Sequence, residues 1–183
     1  MFIGLDLGTS HLKGIVIDDA QNVCAEASVS LSLMRPKNGW SEQNPQDWLD
    51  ATENVMASLA NKVNLKKVNA IGLSGQMHGA TLLDKNDNVL RPCILWNDTR
   101  SAEEASYLDS KTIFRNLTGN IVFPGFTAPK LAWVSKHEPN IFKKISKVLL
   151  PKDYLRFYLT GEYYSEMSDA SGTLWLDVKE RKW

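Results

Sequence analysis

The order of elements along the sequence predicts an α/β fold in a single domain. Three extended apolar runs open the chain, a helix with clear start signals follows, and strands and helices then alternate. Strands followed by alternating helices and strands are typical of a sheet that is covered by helices. The chain has 183 residues, 43% of them hydrophobic, which is enough for one domain with a substantial core.

The first three strands are predicted to form an antiparallel meander. Residues 2–7 and 12–18 are apolar runs on either side of a Gly8-Thr9-Ser10 turn, which indicates a β-hairpin. A turn-like segment at 18–22 leads to the third predicted strand, residues 23–33.

The first helix is marked by its capping residues. Asn44 suits the N-cap, Pro45 the first helical position, and Asp47 adds negative charge to the first turn. Five residues then recur at helical spacing and should face the core: Trp48, Leu49, Val55, Met56 and Leu59. The helix is expected to end near Asn61.

The remaining chain alternates between short strands and helices. Buried or extended strands are predicted at residues 68–74, 80–83, 93–96 and 148–150, and helices at 101–108, 129–136, 139–145 and 154–159. Residues 75–79 form a loop between two glycines, and Gly161 stops the last helix.

Bulk composition disfavours several functional classes. The 21 basic and 21 acidic side chains balance, whereas a nucleic-acid partner demands a positive excess. No apolar stretch approaches the roughly 18 residues of a membrane helix, and no secretory signal is visible. Cys24 and Cys93 form no metal or redox pattern, so we expect two free thiols and a cytoplasmic protein.

Asp6 and the turn after it form the first candidate site. Gly8 lets a ligand approach the backbone, and the amides and hydroxyls of Thr9 and Ser10 suit phosphate oxygens. Asp6 at the strand end suits Mg²⁺, held through water. Lys13 lies either near these phosphates or in solvent. An ordinary hairpin turn with an exposed acid explains the same residues, and spacing alone leaves both interpretations open.

Gln76-Met77-His78 is the second candidate site, because it directly follows a predicted buried strand. Ligands commonly bind where strands of α/β sheets end, and Gln and His supply donors and acceptors for hydroxyl groups. A lone histidine is more often a structural residue, and this alternative stays open.

The third candidate, Trp96-Asn97-Asp98-Thr99-Arg100, suits a sugar. A tryptophan offers an apolar face to the C–H groups of a sugar, and the polar residues suit its hydroxyls. A core tryptophan and a helix N-cap at Asp98 or Thr99 fit equally well. Residues 125–133, a loop leading into a proline-started helix, are interpreted as structural.

Taken in order, these stretches resemble the N-terminal half of the FGGY carbohydrate kinases. DLGTS is similar to the family's opening phosphate loop, which the wider actin/hexokinase/Hsp70-like superfamily shares. Residues 125–137 (GFTAPKLAWVSKH) satisfy the family's first signature, including Lys130 and Trp133. Six runs resemble bacterial members that act on D-xylulose: WSEQNPQDW, GLSGQMHGATLLD, LRPCILWNDTR, PGFTAPKLAWV, VLLPKDYLR and MSDASGTLWLDV.

The resemblance implies a ribonuclease-H-like fold and a phosphoryl transfer. The fold would be a five-stranded mixed sheet with the first three strands antiparallel and helices on both faces. The reaction would be phosphorylation of D-xylulose to D-xylulose 5-phosphate by ATP with Mg²⁺. Sugar and ATP are then the small-molecule partners, without nucleic acid or membrane, and a homodimer is left open.

The resemblance also assigns roles to individual residues. Asp6 would organise magnesium and phosphate, and Gly8, Thr9 and Ser10 would line the ATP phosphates. Met77, through its backbone, and His78 would contact the sugar, Trp96 would pack on it, and Asp98 would lie nearby.

One part of the kinase machinery is not found in the sequence. The family's catalytic base is an aspartate in a motif downstream of the first signature, and Asp98, Asp153 and Asp169 do not match it. We therefore expect the base and the second lobe to lie beyond Trp183, and the chain alone to be inactive. The alternatives are a non-catalytic, actin-like nucleotide-binding module and a sugar-responsive regulatory protein derived from a kinase.

Overall fold

The computed structural model describes all residues, 1–183. The strands are β1 (Phe2–Leu7), β2 (His11–Ile17), β3 (Val23–Ser30), β4 (Glu42–Gln43), β5 (Ala70–Gly75), β6 (Thr81–Leu83), β7 (Cys93–Ile94) and β8 (Lys147–Leu149). The α-helices are α1 (Pro45–Ala60), α2 (Ala102–Asp109), α3 (Thr112–Thr118), α4 (Thr127–His137), α5 (Pro139–Phe142), α6 (Pro151–Thr160) and α7 (Met167–Ala170).

The central sheet is mixed and has the strand order β3-β2-β1-β5. The first three strands pair antiparallel, which confirms the predicted meander, and β5 pairs parallel to β1. Four strands are present rather than the five predicted. β5 is largely exposed although it was predicted to be buried, because it lies at the edge of the sheet with one side unpaired.

Helix α1 forms as its capping residues predict. The Asn44 side chain accepts a hydrogen bond from the Gln46 amide at 3.2 Å. Trp48, Leu49, Val55 and Leu59 are buried, as the helical spacing indicated. The helix packs closely over β2 because residue 14 is glycine: a Cβ there would lie 2.5 Å from Val55 Cγ1.

Helices α1 and α6 cover one face of the sheet. Core residues of α1 and α6, among them Trp48 and Leu155, join Leu5 and Leu7 in one cluster. The opposite face presents Asp6 and other polar residues to an open groove, whereas the prediction placed helices on both faces. The ends of β1 and β5 stay accessible as a result.

Smaller elements form a second layer beside the sheet. β4 pairs with β7 and β6 with β8, and α4 packs against them through Trp133 and Val134. β4, α3 and α7 were not predicted, and α4 begins at Thr127 rather than at Pro129. None of the helices combines the length and the apolar content needed to span a bilayer.

Candidate functional site

The turn between β1 and β2 is held closed while leaving two amides free. The Gly8 amide donates to the His11 carbonyl at 3.0 Å, and the Leu31 amide donates to the Ser10 carbonyl at 2.8 Å. The amides of Thr9 and Ser10 donate no hydrogen bond within the chain. Successive free amides in a turn form an anion-binding concavity, so the geometry suits phosphate oxygens.

The Thr9 hydroxyl joins the three candidate sites. It donates to Gln76 Oε1 at 3.0 Å and accepts from the Trp96 indole Nε1 at 3.0 Å. The hairpin turn, the Gln-Met-His loop and the tryptophan segment therefore meet at one side chain, although they are far apart in sequence. The structure thus brings the predicted phosphate and sugar sites together.

The buried side chain of Gln43 connects the hairpin turn to the loop after β5. No motif in the sequence marks it as a site residue. Its Nε2 donates to the carbonyls of Thr9, at 2.6 Å, and Ser32, at 3.1 Å. Its Oε1 accepts from Gln76 Nε2 at 2.8 Å and from Trp48 Nε1 at 3.1 Å. Gln43 is 1% exposed, so this buried amide is fully satisfied and fixes both loops. The run WSEQNPQDW, which contains Gln43, carries part of the family resemblance, but no local pattern in it predicts this role.

Gln76 and Met77 have different environments despite being neighbours. The Gln76 side chain is buried and both ends of its amide are used by Thr9 and Gln43. Met77 is exposed at the end of β5. Gln76 therefore supports the site from within, while Met77 is available to a ligand.

His78 is held in a left-handed backbone conformation with φ of 63°. Its ring packs edge-on against Phe126, with 4.6 Å between centroids, and lies over Gly172. Burial, together with the charge of Lys130, lowers the pKa of His78 from 6.5 to about 4. The imidazole is therefore neutral at pH 7, and its Nδ1 is buried without a hydrogen-bond partner.

Lys130 lies directly behind His78 and is completely buried. Its Nζ donates to the His78 carbonyl at 2.7 Å and to the Gly125 carbonyl at 2.6 Å. Burial lowers its pKa from 10.5 to about 7. The sequence predicts a structural helix for this segment and includes Lys130 in the family signature, but the contact with His78 becomes evident only in the structure.

Trp96 and Asp98 are placed differently, although they are close in sequence. Trp96 is 39% exposed, and its carbonyl packs so closely on Gly125 that a Cβ there would lie 2.3 Å away. Asp98 is 1% exposed and accepts from the Ser41 amide at 2.6 Å and from the Arg100 guanidinium at 2.7 Å. Asp98 therefore anchors the segment, and its carboxylate has no free surface for a sugar.

Asp6 and Lys13 face each other across the hairpin and line the open groove of about 980 Å³ together with Ser74. Asp6 is exposed. No cluster of three or more His, Cys, Asp or Glu side chains could hold a metal ion. Magnesium in phosphate sites commonly takes one or two carboxylates, with phosphate and water completing its shell. A lone, accessible Asp6 beside the turn fits that donor set.

The hairpin turn, the loop after β5 and the Trp96 segment thus form one connected polar site at the end of the sheet. The chain belongs to the FGGY family of carbohydrate kinases: the family's N-terminal domain matches residues 1–183. This confirms the resemblance and the fold class.

Curated relatives and solved structures are similar to this chain over almost its whole length. The chain is 53% identical to the xylulose kinase of Escherichia coli (strain K12), covering 100% of the chain and 38% of the relative. It is 46% identical to that of Bacillus subtilis (strain 168), covering 99% of the chain and 37% of the relative. The structure matches a "xyloylose kinase" from Brucella ovis with a TM-score of 0.97 and 58% identity, covering 99% of this chain and 38% of that one.

A more distant structure shows how widely the architecture extends. Plasmodium falciparum glycerol kinase with ADP matches with a TM-score of 0.88 and 25% identity, over 100% of this chain and 39% of that one. The chain spans less than two fifths of the length of the curated relatives it matches.

Proposed function

We propose that the protein containing residues 1–183 is an ATP-dependent kinase that converts D-xylulose to D-xylulose 5-phosphate. One observation is central: the Thr9 hydroxyl bonds both Gln76 and Trp96, at 3.0 Å each, so the phosphate turn and the sugar loops form one site. The xylulose kinases among the relatives support the choice of sugar.

The hairpin turn is proposed to bind the ATP phosphates. The free amides of Thr9 and Ser10, and the Ser10 hydroxyl, donate to phosphate oxygens, and Gly8 allows the close approach. Lys13 adds positive charge on the same face as Asp6. Asp6 would hold Mg²⁺, which neutralises phosphate charge when bound.

Sugar binding is proposed to involve three exposed or half-buried groups. The neutral imidazole of His78 can both donate and accept, which suits a hydroxyl group. The Met77 backbone offers polar groups beside it, and the Trp96 ring offers an apolar face to sugar C–H groups. Gln76 and Asp98 act by positioning these groups, because their own polar atoms are already bonded.

The base that accepts the hydroxyl proton is proposed to come from chain outside residues 1–183, together with a second lobe that closes over ATP. Two acids within these residues are unsuited to the role. Asp98 is tied to Arg100, and Asp153, 3% exposed, binds Lys152 and Ser165. We further propose a cytoplasmic location, which two free thiols fit, and a homodimer stays a prediction.

The substrate assignment is tested by measuring ADP release from the full-length protein with D-xylulose, glycerol and D-gluconate. We expect the highest kcat/KM with D-xylulose. A preference for either other substrate would overturn the choice of sugar. Failure of every sugar to stimulate ADP release would favour the non-catalytic alternative. The 183-residue chain, checked for folding by circular dichroism, should show no turnover in the same assay.

A further inference from the structure

Lys130 has a buried ε-amino group whose hydrogen-bond partners are both neutral. Its side chain is 0% exposed, and both atoms that it bonds are backbone carbonyl oxygens, those of His78 and Gly125. Burying an ammonium group is costly unless it is paired and hydrogen-bonded, and burial alone moves its pKa strongly downwards. An apolar residue would fill the same space at a lower desolvation cost. What a lysine adds at this position is the pair of hydrogen bonds to the two carbonyls.

The first of these carbonyls belongs to a residue with an unfavourable backbone. His78 has φ of 63°, a region that residues with a Cβ rarely occupy. Its carbonyl accepts from both Lys130 Nζ, at 2.7 Å, and Thr127 Oγ1, at 3.2 Å. Such strained conformations persist only where surrounding contacts determine them, and helix α4 supplies both contacts.

The second carbonyl connects Lys130 to the tryptophan segment. Gly125 lies against the Trp96 carbonyl so closely that a Cβ would come within 2.3 Å of it. Lys130 holds the Gly125 carbonyl at 2.6 Å. The Nζ of Lys130 thus holds both the loop that carries His78 and the loop that supports Trp96.

We propose that Lys130 is a positioning residue, whose Nζ holds the His78 loop and the Gly125–Trp96 contact in the geometry that receives the sugar. The proposal rests on the proposed function, because His78 and Trp96 are its sugar contacts. Lys130 itself touches no substrate. It acts through two backbone carbonyls.

Kinetics of the full-length protein test the proposal through three variants. Lys130→Met keeps the length of the side chain but removes its donors. Thr127→Val removes only the second donor to His78. Lys136→Met is the matched control, because Lys136 lies on the same helix but is exposed and pairs with Glu103 and Glu104.

We expect kcat/KM for D-xylulose to fall by about 10- to 100-fold in Lys130→Met, since misplacing contacts by about 1 Å has effects of that size. Thr127→Val should lose about 3- to 10-fold, the effect of one hydrogen bond. KM for ATP should change less than twofold in both, and Lys136→Met should match the wild type. The proposal would be overturned if Lys130→Met lowered kcat/KM equally for D-xylulose and for ATP. It would also be overturned if Lys130→Met had wild-type kinetics with D-xylulose.

Hydrogen–deuterium exchange separates this proposal from the proposed function, since it needs no turnover. Exchange in Lys130→Met should rise in peptides covering residues 75–80 and 121–126, while peptides from β1 and β2 keep wild-type rates. Faster exchange throughout the sheet would show a purely structural role and contradict the proposal. If Lys130→Met does not fold, the exchange experiment is made on Thr127→Val, with the same pattern expected for the peptide that covers residues 75–80. If the wild type phosphorylates no sugar, only the proposed function fails, and the exchange pattern still decides the role of Lys130 in positioning.

Discussion

Replacing Gly172 with alanine should displace the His78 ring. A Cβ built at residue 172 lies 2.1 Å from His78 Cε1 and 2.3 Å from Nδ1. Ordinary van der Waals contact begins at 3.4 Å, so the ring must move by about 1.3 Å. The left-handed backbone of His78 and its carbonyl contacts with α4 resist that movement.

The consequence is a selective loss of sugar turnover. A displacement of about 1 Å at a binding group can lower the rate by about 100-fold, so we expect kcat/KM for D-xylulose to fall by that order in full-length Gly172→Ala. Overpacking of this kind also lowers the free energy of unfolding by about 1–3 kcal/mol. Steady-state ADP release and urea unfolding measure the two effects.

Two further variants make the test specific. Gly161→Ala is the matched control: its φ is 74° but no atom lies within 4 Å of the added Cβ, so it should lose stability and keep wild-type kinetics. Gly172→Ala in a His78→Ala background should cost little further stability, because the clashing ring is gone. A Gly172→Ala protein with kcat/KM within twofold of the wild type would refute the reasoning. So would a loss of unfolding free energy from Gly172→Ala that is equally large in the His78→Ala background.

Three other predictions concern the residues that support the site. Gln43→Leu leaves the four partners of Gln43 unpaired and should lower the free energy of unfolding by about 3 kcal/mol or more in urea melts. Since burial lowers the pKa of His78 to about 4, its contribution to stability is full above pH 6.5 and is lost as the pH falls towards 4, because the unfolded chain binds the proton first. The denaturation midpoint should therefore fall more steeply from pH 7 to 5 in the wild type than in His78→Gln. Asp98→Asn leaves buried Arg100 with Glu42, at 2.7 Å, as its remaining carboxylate partner, and should cost about 2 kcal/mol, the effect of a hydrogen bond to a charged group. Glu103→Gln on an exposed pair should produce no measurable change.

Local signals in the sequence predicted the meander and helix α1 well. The hairpin follows from two apolar runs around Gly8, and α1 follows from Asn44, Pro45 and the helical recurrence of apolar residues. These features depend on neighbours in the chain, so a single sequence contains the necessary information.

The supporting residues of the site could not be predicted in the same way. β4 has only two residues, too few for a recognisable period, and its Gln43 gains its role from partners such as Gln76, 33 positions away. Gly172 and Lys130 matter because of where tertiary packing places His78. Asp98 was expected beside the sugar, but its capture by Arg100 and the Ser41 amide depends on burial that no local pattern reveals.

The most direct test of the central claim is the product that the full-length protein forms from D-xylulose and MgATP. Phosphorus NMR and mass spectrometry should show one equivalent of D-xylulose 5-phosphate for each ADP released, and Trp96→Phe, which loses the bond to Thr9, should form it more slowly. ADP release without a sugar phosphate, or a phosphate on another position of the sugar, would contradict the account.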